Sequence, residues 1–335
     1  MREEVGGRVV VITGASSGIG RATALRFARA GDSVVVSARR KNLLKDLVEE
    51  CEALGTEALA VESDVSDHNS VEKLAKAAIK RFGRIDVWIN NAGVGAVGKF
   101  DEIPIEEHQR LIETNVNGTL NGSQVALHRF KEQGSGVLIN ISSVLGKITQ
   151  PYMSSYSASK HAIRALSGCI RQELWLDDYE DIHVCTVFPQ SVDTPFFEHE
   201  ANYSGFEVKP APPIETPEKA AEIIFNLAEN PQDEAHVGKM GKWMGIQQKL
   251  SRPVTEKEMA LMTDRKHFDK SKKVDAHSGT LWNPSKSEKG EIHGGWKNGS
   301  KMKKPLSAAA MAVPALVGLY VVLKNRKSSQ LERVA

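Results

Sequence analysis

Two residues spaced one helical turn apart could carry proton-transfer chemistry. Residues 154–162 read SSYSASKHA, which places Tyr156 and Lys160 four positions apart among small side chains. A helix would bring both side chains onto one face. A free phenol has a pKa of about 10 and is a poor base at neutral pH, but a neighbouring ammonium group favours the phenolate and lowers that pKa. A solvated surface helix could carry the same pair without chemistry, so the pair needs support from the rest of the chain.

A glycine-rich turn near the N-terminus could bind phosphate. Gly14, Gly18 and Gly20 separate an apolar run over 8–13 from a helical pattern. Gly14 allows a tight turn, Gly18 lets a ligand approach the backbone, and Gly20 allows close packing of the helix on the strand. The free N–H groups and partial positive charge at the start of the helix favour a pyrophosphate. Glycine turns are common, but a turn between a first strand and a helix predicts dinucleotide binding.

The end of the second apolar run indicates which dinucleotide would bind. An NAD site places an acidic residue there for the ribose 2′-hydroxyl, whereas an NADP site offers arginine to the 2′-phosphate. Ala38 stands at the acidic position here, and Arg39 and Arg40 follow it. Guanidinium groups match phosphate oxygens bidentately, so the sequence predicts NADP(H). Two solvated arginines at the start of a helix are the plainer alternative.

The elements that would position these residues alternate between strand and helix. Short apolar runs rich in β-branched residues are typical of strands buried on both faces of a parallel sheet. They cover residues 8–13, 33–38, 57–62, 85–90, 136–142 and 182–188. Helical patterns lie between them, and repeated strand–helix units imply right-handed crossovers. We therefore predict an α/β fold with a doubly wound, mainly parallel sheet of about seven strands and helices on both faces.

The motifs of this chain resemble, in order and spacing, those of the short-chain dehydrogenase/reductase family. They are TGASSGIG (13–20), DV (64–65), NNAG (90–93), NVNG (115–118), ISS (141–143), YSASK (156–160) and PQSVDT (189–194). The resemblance covers about residues 6–240 and implies a Rossmann-type fold. It also implies an oxidoreductase that moves a hydride between a nicotinamide cofactor, here NADP(H), and a carbonyl or secondary alcohol of a small molecule.

The resemblance implies a catalytic tetrad of Asn115, Ser143, Tyr156 and Lys160. Tyr156 would act as general acid or base while hydride moves to or from the nicotinamide. Lys160 would lower the pKa of Tyr156 and bind the nicotinamide ribose, Ser143 would hold the substrate oxygen, and Asn115 would position a water in a proton relay. A non-catalytic relative that senses NADP(H) is the alternative, and the intact tetrad argues against it.

The same resemblance assigns cofactor and substrate residues. Asp64 would accept a hydrogen bond from the adenine amino group, and Gln190 replaces the usual glycine and would project towards the substrate. Phe196 and Phe197 suggest an apolar lid over a lipophilic substrate, although they could equally pack onto the body. The residues expected to contact the cofactor are Gly14, Ser16, Ser17, Gly18, Ile19, Gly20, Arg39, Arg40, Asp64, Val65, Asn91, Ala92, Gly93, Tyr156, Lys160, Pro189, Val192 and Thr194.

Composition bounds the other function classes. The 335 residues are 41% hydrophobic and 26% charged, which is ordinary for a soluble protein with a large core. The net charge of +2 is too small to favour binding to nucleic acid. Three widely spaced cysteines indicate a reducing compartment, and the N-terminus shows no signal peptide. We predict no metal site and read EHE at 198–200 as a solvated loop. Helices near 113–133 and 156–177 pair between subunits in the family, so a homodimer or homotetramer is expected.

The last ninety or so residues differ from the body. Residues 271–304 carry eight lysines against three acidic residues, and we read 241–304 as a polar, basic extension or linker after a catalytic domain over 1–240. Residues 305–323 carry no charge and would form a helix of about 28 Å, close to the ~30 Å of a bilayer core. Basic residues follow over 324–335. We predict a C-terminal anchor at the cytoplasmic face of a membrane, with a buried or surface-lying helix, in a cytoplasmic protein, as the alternative.

Overall fold

The computed structural model describes residues 7–285 and 289–297. Its strands are β1 (Val9–Thr13), β2 (Ser33–Ala38), β3 (Ala58–Glu62), β4 (Val87–Asn90), β5 (Ala96–Val97), β6 (Gly136–Ile141), β7 (Ile182–Pro189), β8 (Ala201–Asn202), β9 (Phe206–Val208), β10 (Glu234–Val237) and β11 (Phe268–Lys273). Seven of them form one parallel sheet in the order β10-β7-β6-β4-β1-β2-β3.

The helices connect these strands and cover the sheet. They are α1 (Gly18–Arg29), α2 (Lys41–Ala53), α3 (His68–Phe82), α4 (Ile105–Ile112), α5 (Gly118–Gln133), α6 (Ser154–Leu176), α7 (Phe196–His199), α8 (Pro217–Glu229), α9 (Met240–Leu250) and α10 (Arg252–Lys266). A π-helical turn, Glu113–Asn117, joins α4 to α5, and a 3-10 turn, Val144–Gly146, follows β6.

Two hydrophobic clusters explain why the strand sequences are continuously apolar. Successive side chains of a strand point to opposite faces, so Val10 and Ile12 join the cluster under α1, α2 and α8. Val9 and Val11 join the other cluster, under α3, α5 and α6. The predicted α/β fold, with a doubly wound parallel sheet and helices on both faces, is confirmed. The sequence pattern does not locate the seventh strand, β10, because its residues EAHV do not form an apolar run.

The chain beyond residue 240 differs from the expected linker. It forms α9, α10 and β11, and β11 pairs antiparallel with β9. Met259 and Phe268 are buried in a cluster with Leu145 and Ile148 of the body. Phe268 stands alone among polar residues and Met259 belongs to the short apolar run 259–262, and neither pattern is long enough to show a periodicity in the sequence.

The predicted membrane helix falls in the part of the chain outside the described residues. Residues 305–323 and the basic residues 324–335 both lie there. Among residues 7–285 and 289–297, no helix combines the length and apolar character needed to cross a membrane. The anchor therefore stays a prediction from sequence.

Candidate active site

The candidate site is a groove at the carboxyl ends of the central strands. The sheet order reverses between β1 and β4, and α/β sheets bind ligands at such switch points. Most of the residues assigned from the sequence line this one groove. They are Gly14, Ser16, Ser17, Gly18, Ile19, Arg39, Arg40, Asp64, Val65, Asn91, Ala92, Gly93, Ser143, Tyr156, Lys160, Pro189, Gln190, Val192, Thr194, Phe196 and Phe197. Gly20 and Asn115 lie behind the wall.

Tyr156 and Lys160 lie one turn apart on α6, as their spacing predicts. The Lys160 Nζ lies 5.5 Å from the centre of the Tyr156 ring and donates to the Ile141 carbonyl oxygen at 2.9 Å. The Ser143 side chain lies beside the Tyr156 phenol, where as a hydrogen-bond donor it acts to lower the pKa of that phenol. Ser143 is held for this contact at the start of the 3-10 turn, where its Oγ accepts from the Leu145 N–H at 3.2 Å.

Small residues around the pair let α6 approach the end of β6. The Ser142 Oγ donates to the Lys160 carbonyl oxygen at 2.8 Å, and a Cβ on Gly146 would lie 2.6 Å from that same oxygen. Ser157 and Ser159 of α6 are also buried, and the Ser159 Oγ accepts from the Asn115 Nδ2. A larger residue at Ser142 or Gly146 would push the α6 backbone at Lys160 away from the end of β6.

Burial dominates the protonation of the pair. Burial raises the pKa of the Tyr156 phenol, and the hydrogen bond from Ser143 only partly opposes it. Burial also lowers the pKa of Lys160 to about 8, because a charged ammonium is disfavoured away from water. The pKa of Tyr156 is therefore raised in this structure, opposite in direction to the decrease that its spacing to Lys160 suggests.

Asn115 lies in the π-helical turn between α4 and α5 and is fully buried. Its Oδ1 accepts from the Val94 N–H at 2.8 Å, and its Nδ2 donates to the Val94 carbonyl at 3.0 Å and to the Ser159 Oγ at 3.1 Å. A Cβ on Gly93 would lie 3.3 Å from the Asn115 Oδ1 and 3.5 Å from the Lys160 Nζ. The absence of a side chain at Gly93 therefore keeps a space open beside both groups.

The glycine turn has the backbone that its sequence indicates. Gly14 and Gly18 have positive φ angles of 65° and 54°, and a Cβ on Gly14 would lie 2.6 Å from the Ala92 Cα. A Cβ on Gly20 would overlap the Gly14 carbonyl oxygen, which is why Gly20 packs behind the groove. Asn91 supports the turn, because its Nδ2 donates to the carbonyls of Thr13 and Gly14 at 3.0 Å each. The backbone of this turn at the start of α1 fits a dinucleotide pyrophosphate, although the Gly18 N–H donates to the Glu291 carbonyl at 3.0 Å in this structure.

The adenosine end of the groove contains a residue that sequence reasoning missed. Arg110 of α4 donates to Asp64 Oδ2 at 3.1 Å, and Asp64 Oδ1 accepts from the Ser66 N–H at 3.0 Å. Burial alone would raise the pKa of Asp64, but the hydrogen bonds from Ser66 and the charges of Arg110 and Arg39 hold it below its usual value. Asp64, expected to accept from adenine, is thus already paired. Nothing in the pattern of α4 distinguishes Arg110 from a surface arginine.

The substrate end combines aromatic rings with Gln190. Phe196 lies 5.8 Å from Tyr156 between ring centres, and Phe197 packs edge-on against Trp296 at 6.4 Å. The Gln190 Nε2 donates to the Pro213 carbonyl at 3.0 Å, so this side chain helps to hold the loop after β7. The two phenylalanines both line the groove and pack onto the body.

A second missed residue is Glu200, which sequence reading placed in a solvated loop. Its side chain is only 3% exposed, while Glu198 stays exposed. Neither carboxyl oxygen has a hydrogen-bond partner within residues 7–285 and 289–297, and burial raises the pKa of Glu200 well above its usual value. A Cβ on Gly95 would lie 2.7 Å from its Oε2, so the carboxyl group lies just below the substrate end.

Comparison with known proteins relates this geometry to a family. Residues 8–203 match the family model for short chain dehydrogenases. The 3beta-hydroxysteroid dehydrogenase 1 of Eggerthella lenta is 34% identical over 68% of this chain and 89% of its own. The alcohol dehydrogenase of Thermococcus sibiricus, solved with 5-hydroxy-NADP, is 30% identical with a TM-score of 0.61 over 69% of this chain and 95% of its own.

A further similar structure holds the other dinucleotide. The short chain dehydrogenase of Mycobacterium paratuberculosis, bound to NAD, is 26% identical with a TM-score of 0.60, over 70% of this chain and 97% of its own. The family match, the parallel sheet and the groove at the switch point of the sheet all indicate the same fold, with its ligand site at the same place. This chain therefore belongs to the short-chain dehydrogenase/reductase family of nicotinamide-dependent oxidoreductases.

Proposed function

We propose that this oxidoreductase uses NADP(H) to interconvert a carbonyl and a secondary alcohol on a lipophilic small molecule, with Tyr156 as general acid or base. The observation that carries the proposal is that Ser143, Tyr156 and Lys160 meet at one wall of the groove, with the Ser143 hydroxyl close enough to the Tyr156 phenol to act on its pKa. Two hydroxyl groups that meet at one point can both bind a single substrate oxygen. Lys160 lies one turn from Tyr156 on α6, with its Nζ 5.5 Å from the centre of the ring.

Each residue around the substrate oxygen has a separate role. Ser143 donates a hydrogen bond to the substrate oxygen and fixes its position, and Tyr156 gives or takes its proton. The nicotinamide, when bound, supplies or accepts the hydride. A positive charge next to the phenol would offset the effect of burial on the pKa of Tyr156, and Lys160 provides one whenever it is protonated. Asn115 holds the backbone at Val94 beside this centre.

The choice of NADP(H) is supported by the end of β2. Ala38 leaves no carboxylate there to repel a phosphate, and Arg39 and Arg40 both line the groove. The Arg40 Nη2 donates to the Ser16 Oγ of the glycine turn at 2.7 Å. Because Arg110 also lies close by, the adenosine end carries more positive than negative side chains and favours a phosphate dianion.

A lipophilic substrate is supported by the wall beyond Tyr156. Its side chains are largely apolar and include Val144, Leu145, Met153, Phe196 and Phe197. Pockets of this composition bind apolar molecules and orient them through a few polar groups, here Ser143 and Tyr156. The membrane anchor over 305–323 would bring such a substrate to the enzyme at the cytoplasmic face, and the homo-oligomer remains an expectation.

A panel assay tests the proposal against a non-catalytic NADP(H) sensor. Sterols, retinoids, fatty aldehydes and sugars would be offered as ketone or aldehyde with NADPH, and as alcohol with NADP⁺, and followed by NADPH absorbance. Turnover of a lipophilic carbonyl or alcohol is expected, with sugars poorer. Tight NADPH binding without turnover of any panel member would favour the sensor instead.

A further inference from the structure

The chain after residue 277 crosses the cofactor groove in two described pieces, 278–285 and 289–296, here called the C-terminal strap. Thr280 and Pro284 of the strap line the groove together with the glycine turn, Arg39 and Tyr156. The family match ends at residue 203, so the strap lies outside the part of the chain that the family model covers. The strap contacts the body at both ends of the groove.

The first piece of the strap binds the adenosine end. The Arg39 Nη2 donates to the Thr280 carbonyl at 2.7 Å, and its Nη1 donates to those of Trp282 and Leu281 at 3.1 and 3.4 Å. Arg110 Nε donates to the Leu281 carbonyl at 3.2 Å. Because these acceptors are neutral carbonyls, they orient Arg39 without cancelling its charge. A guanidinium has five N–H donors, so donors remain for a ligand.

Side chains of the same piece fix it to the body. Leu281 is fully buried in a cluster with Val94, Leu111 and Ala201. The Trp282 Nε1 donates to Glu107 Oε1 at 3.0 Å, and the Ser278 Oγ donates to the same oxygen at 2.7 Å. The Trp282 ring also lies 5.7 Å from the Arg110 guanidinium carbon. The piece is therefore packed in place and not merely laid on the surface.

The second piece binds the pyrophosphate and nicotinamide ends. The Gly18 N–H of the glycine turn donates to the Glu291 carbonyl at 3.0 Å. The Trp296 N–H donates to Asp193 Oδ1 at 2.7 Å, and the Gly294 N–H donates to the Asp193 carbonyl at 3.3 Å. Asp193 lies between Val192 and Thr194, which the family resemblance places against the nicotinamide. This piece is thus attached at the nicotinamide end through Asp193, and it also holds the Gly18 N–H that a pyrophosphate would use, so the Glu291 contact must be exchanged when a dinucleotide binds.

We propose that the C-terminal strap is a part of the cofactor site that positions Arg39 for the adenosine 2′-phosphate and must detach before the dinucleotide leaves. The proposal rests on the proposed use of NADP(H). A ligand enclosed in this way leaves at a rate set by detachment of the strap. An Arg39 already held by carbonyls also loses less freedom when it binds a phosphate.

The test uses two full-length variants that loosen opposite ends of the strap. Gly294→Ala adds a Cβ that would overlap the Thr194 carbonyl oxygen, and Trp282→Ala removes the contacts to Glu107 and Arg110. The control is Gly245→Ala on α9, where the added Cβ would meet only the Lys147 side chain, at 3.7 Å. NADPH release would be measured by stopped-flow fluorescence during displacement with excess NADP⁺, and NADPH and NADH affinities by titration.

Both strap variants are expected to release NADPH about tenfold faster than the native protein, the scale of one lost hydrogen bond to a charged group, while Gly245→Ala does not. Trp282→Ala should also weaken NADPH more than NADH, because only NADPH carries the 2′-phosphate. If both variants released NADPH at the rate of the native protein, or bound NADPH more tightly, the proposed role of the strap would be wrong and the proposed function would stand. Binding of neither dinucleotide by the native protein would overturn the proposed function and the strap with it.

Discussion

At the scale of residues, the site works through groups whose protonation is shifted by burial. Tyr156 and Lys160 are both enclosed by the small residues that let α6 approach β6, and both are shifted towards their neutral forms. Their types and spacing could be predicted from sequence, because a tyrosine and a lysine four apart must share a helix face. Their burial could not, because it depends on residues such as Gly93 and Ser142 that come from other elements.

The lowered pKa of Lys160 predicts a stability effect without cofactor. The pKa is about 8 in the folded chain against 10.5 ordinarily, so below pH 8 the fold carries a buried charge. Between about pH 8 and 10.5 the unfolded chain holds more protons, and stability rises with pH. Lys160→Met should therefore be more stable than the native protein at pH 7, by up to about 3 kcal/mol, and lose this advantage towards pH 10.

Urea unfolding at pH 7 and at pH 9.5 would check this effect, with the exposed Lys76→Met of α3 as control. The Lys76 variant should follow the native protein at both values. A Lys160→Met protein that is less stable than the native one at pH 7, or equally different from it at both pH values, would contradict the buried charge.

At the scale of elements, strands and the glycine turn could be predicted and the irregular pieces could not. Continuous apolar runs mark strands covered on both faces, and Gly14 and Gly20 are required by backbone contacts that their spacing already indicates. No sequence pattern indicates the π-helical turn at Asn115 or the pairing of Arg110 with Asp64. Both depend on how α4 lies against its neighbours, which local sequence does not encode.

The end of β2 gives the prediction at this scale, because we propose that Arg39, which lines the groove there, selects NADP(H) over NAD(H). Arg39→Ala should weaken NADPH binding by about tenfold or more, since a charge-assisted contact to phosphate is lost, and should leave NADH binding nearly unchanged. Titration of both dinucleotides would check it, with Arg29→Ala, exposed at the end of α1, as control. Equal losses for NADPH and NADH would contradict the assignment of Arg39 to the 2′-phosphate.

At the scale of the whole molecule, the part after residue 240 is joined to the family domain more closely than its composition suggests. Met259, Phe268, Leu281 and Trp296 are each buried against the body. Phe268 and Trp296 stand singly among polar residues, and Met259 and Leu281 lie in apolar stretches too short to show a period, 259–262 and 281–282. Neither periodicity nor hydropathy could therefore predict their contacts. The burial of such a residue can be recognised only when the pocket that encloses it is known, and that pocket is formed by distant parts of the chain.

The apolar stretch over 305–323 makes a prediction for the whole chain. Its length matches a bilayer core, and lysines and arginines flank it on both sides. Full-length protein should sediment with membranes and be released by detergent, because transfer of that stretch from lipid to water is unfavourable. A version ending at Lys304 should stay in the supernatant. Full-length protein in the high-speed supernatant without detergent would contradict the anchor, and equal sedimentation of both versions would place it elsewhere.

The central claim is that Tyr156 moves the proton of the substrate oxygen. The most direct measurement compares Tyr156→Phe with the native protein on the best substrate from the panel, with NADPH affinity measured in parallel. Tyr179→Phe, partly buried and away from the groove, is the control. We expect Tyr156→Phe to bind NADPH as the native protein does and to lose at least ~10²-fold in turnover, with Tyr179→Phe unaffected. Native turnover by Tyr156→Phe would contradict the account.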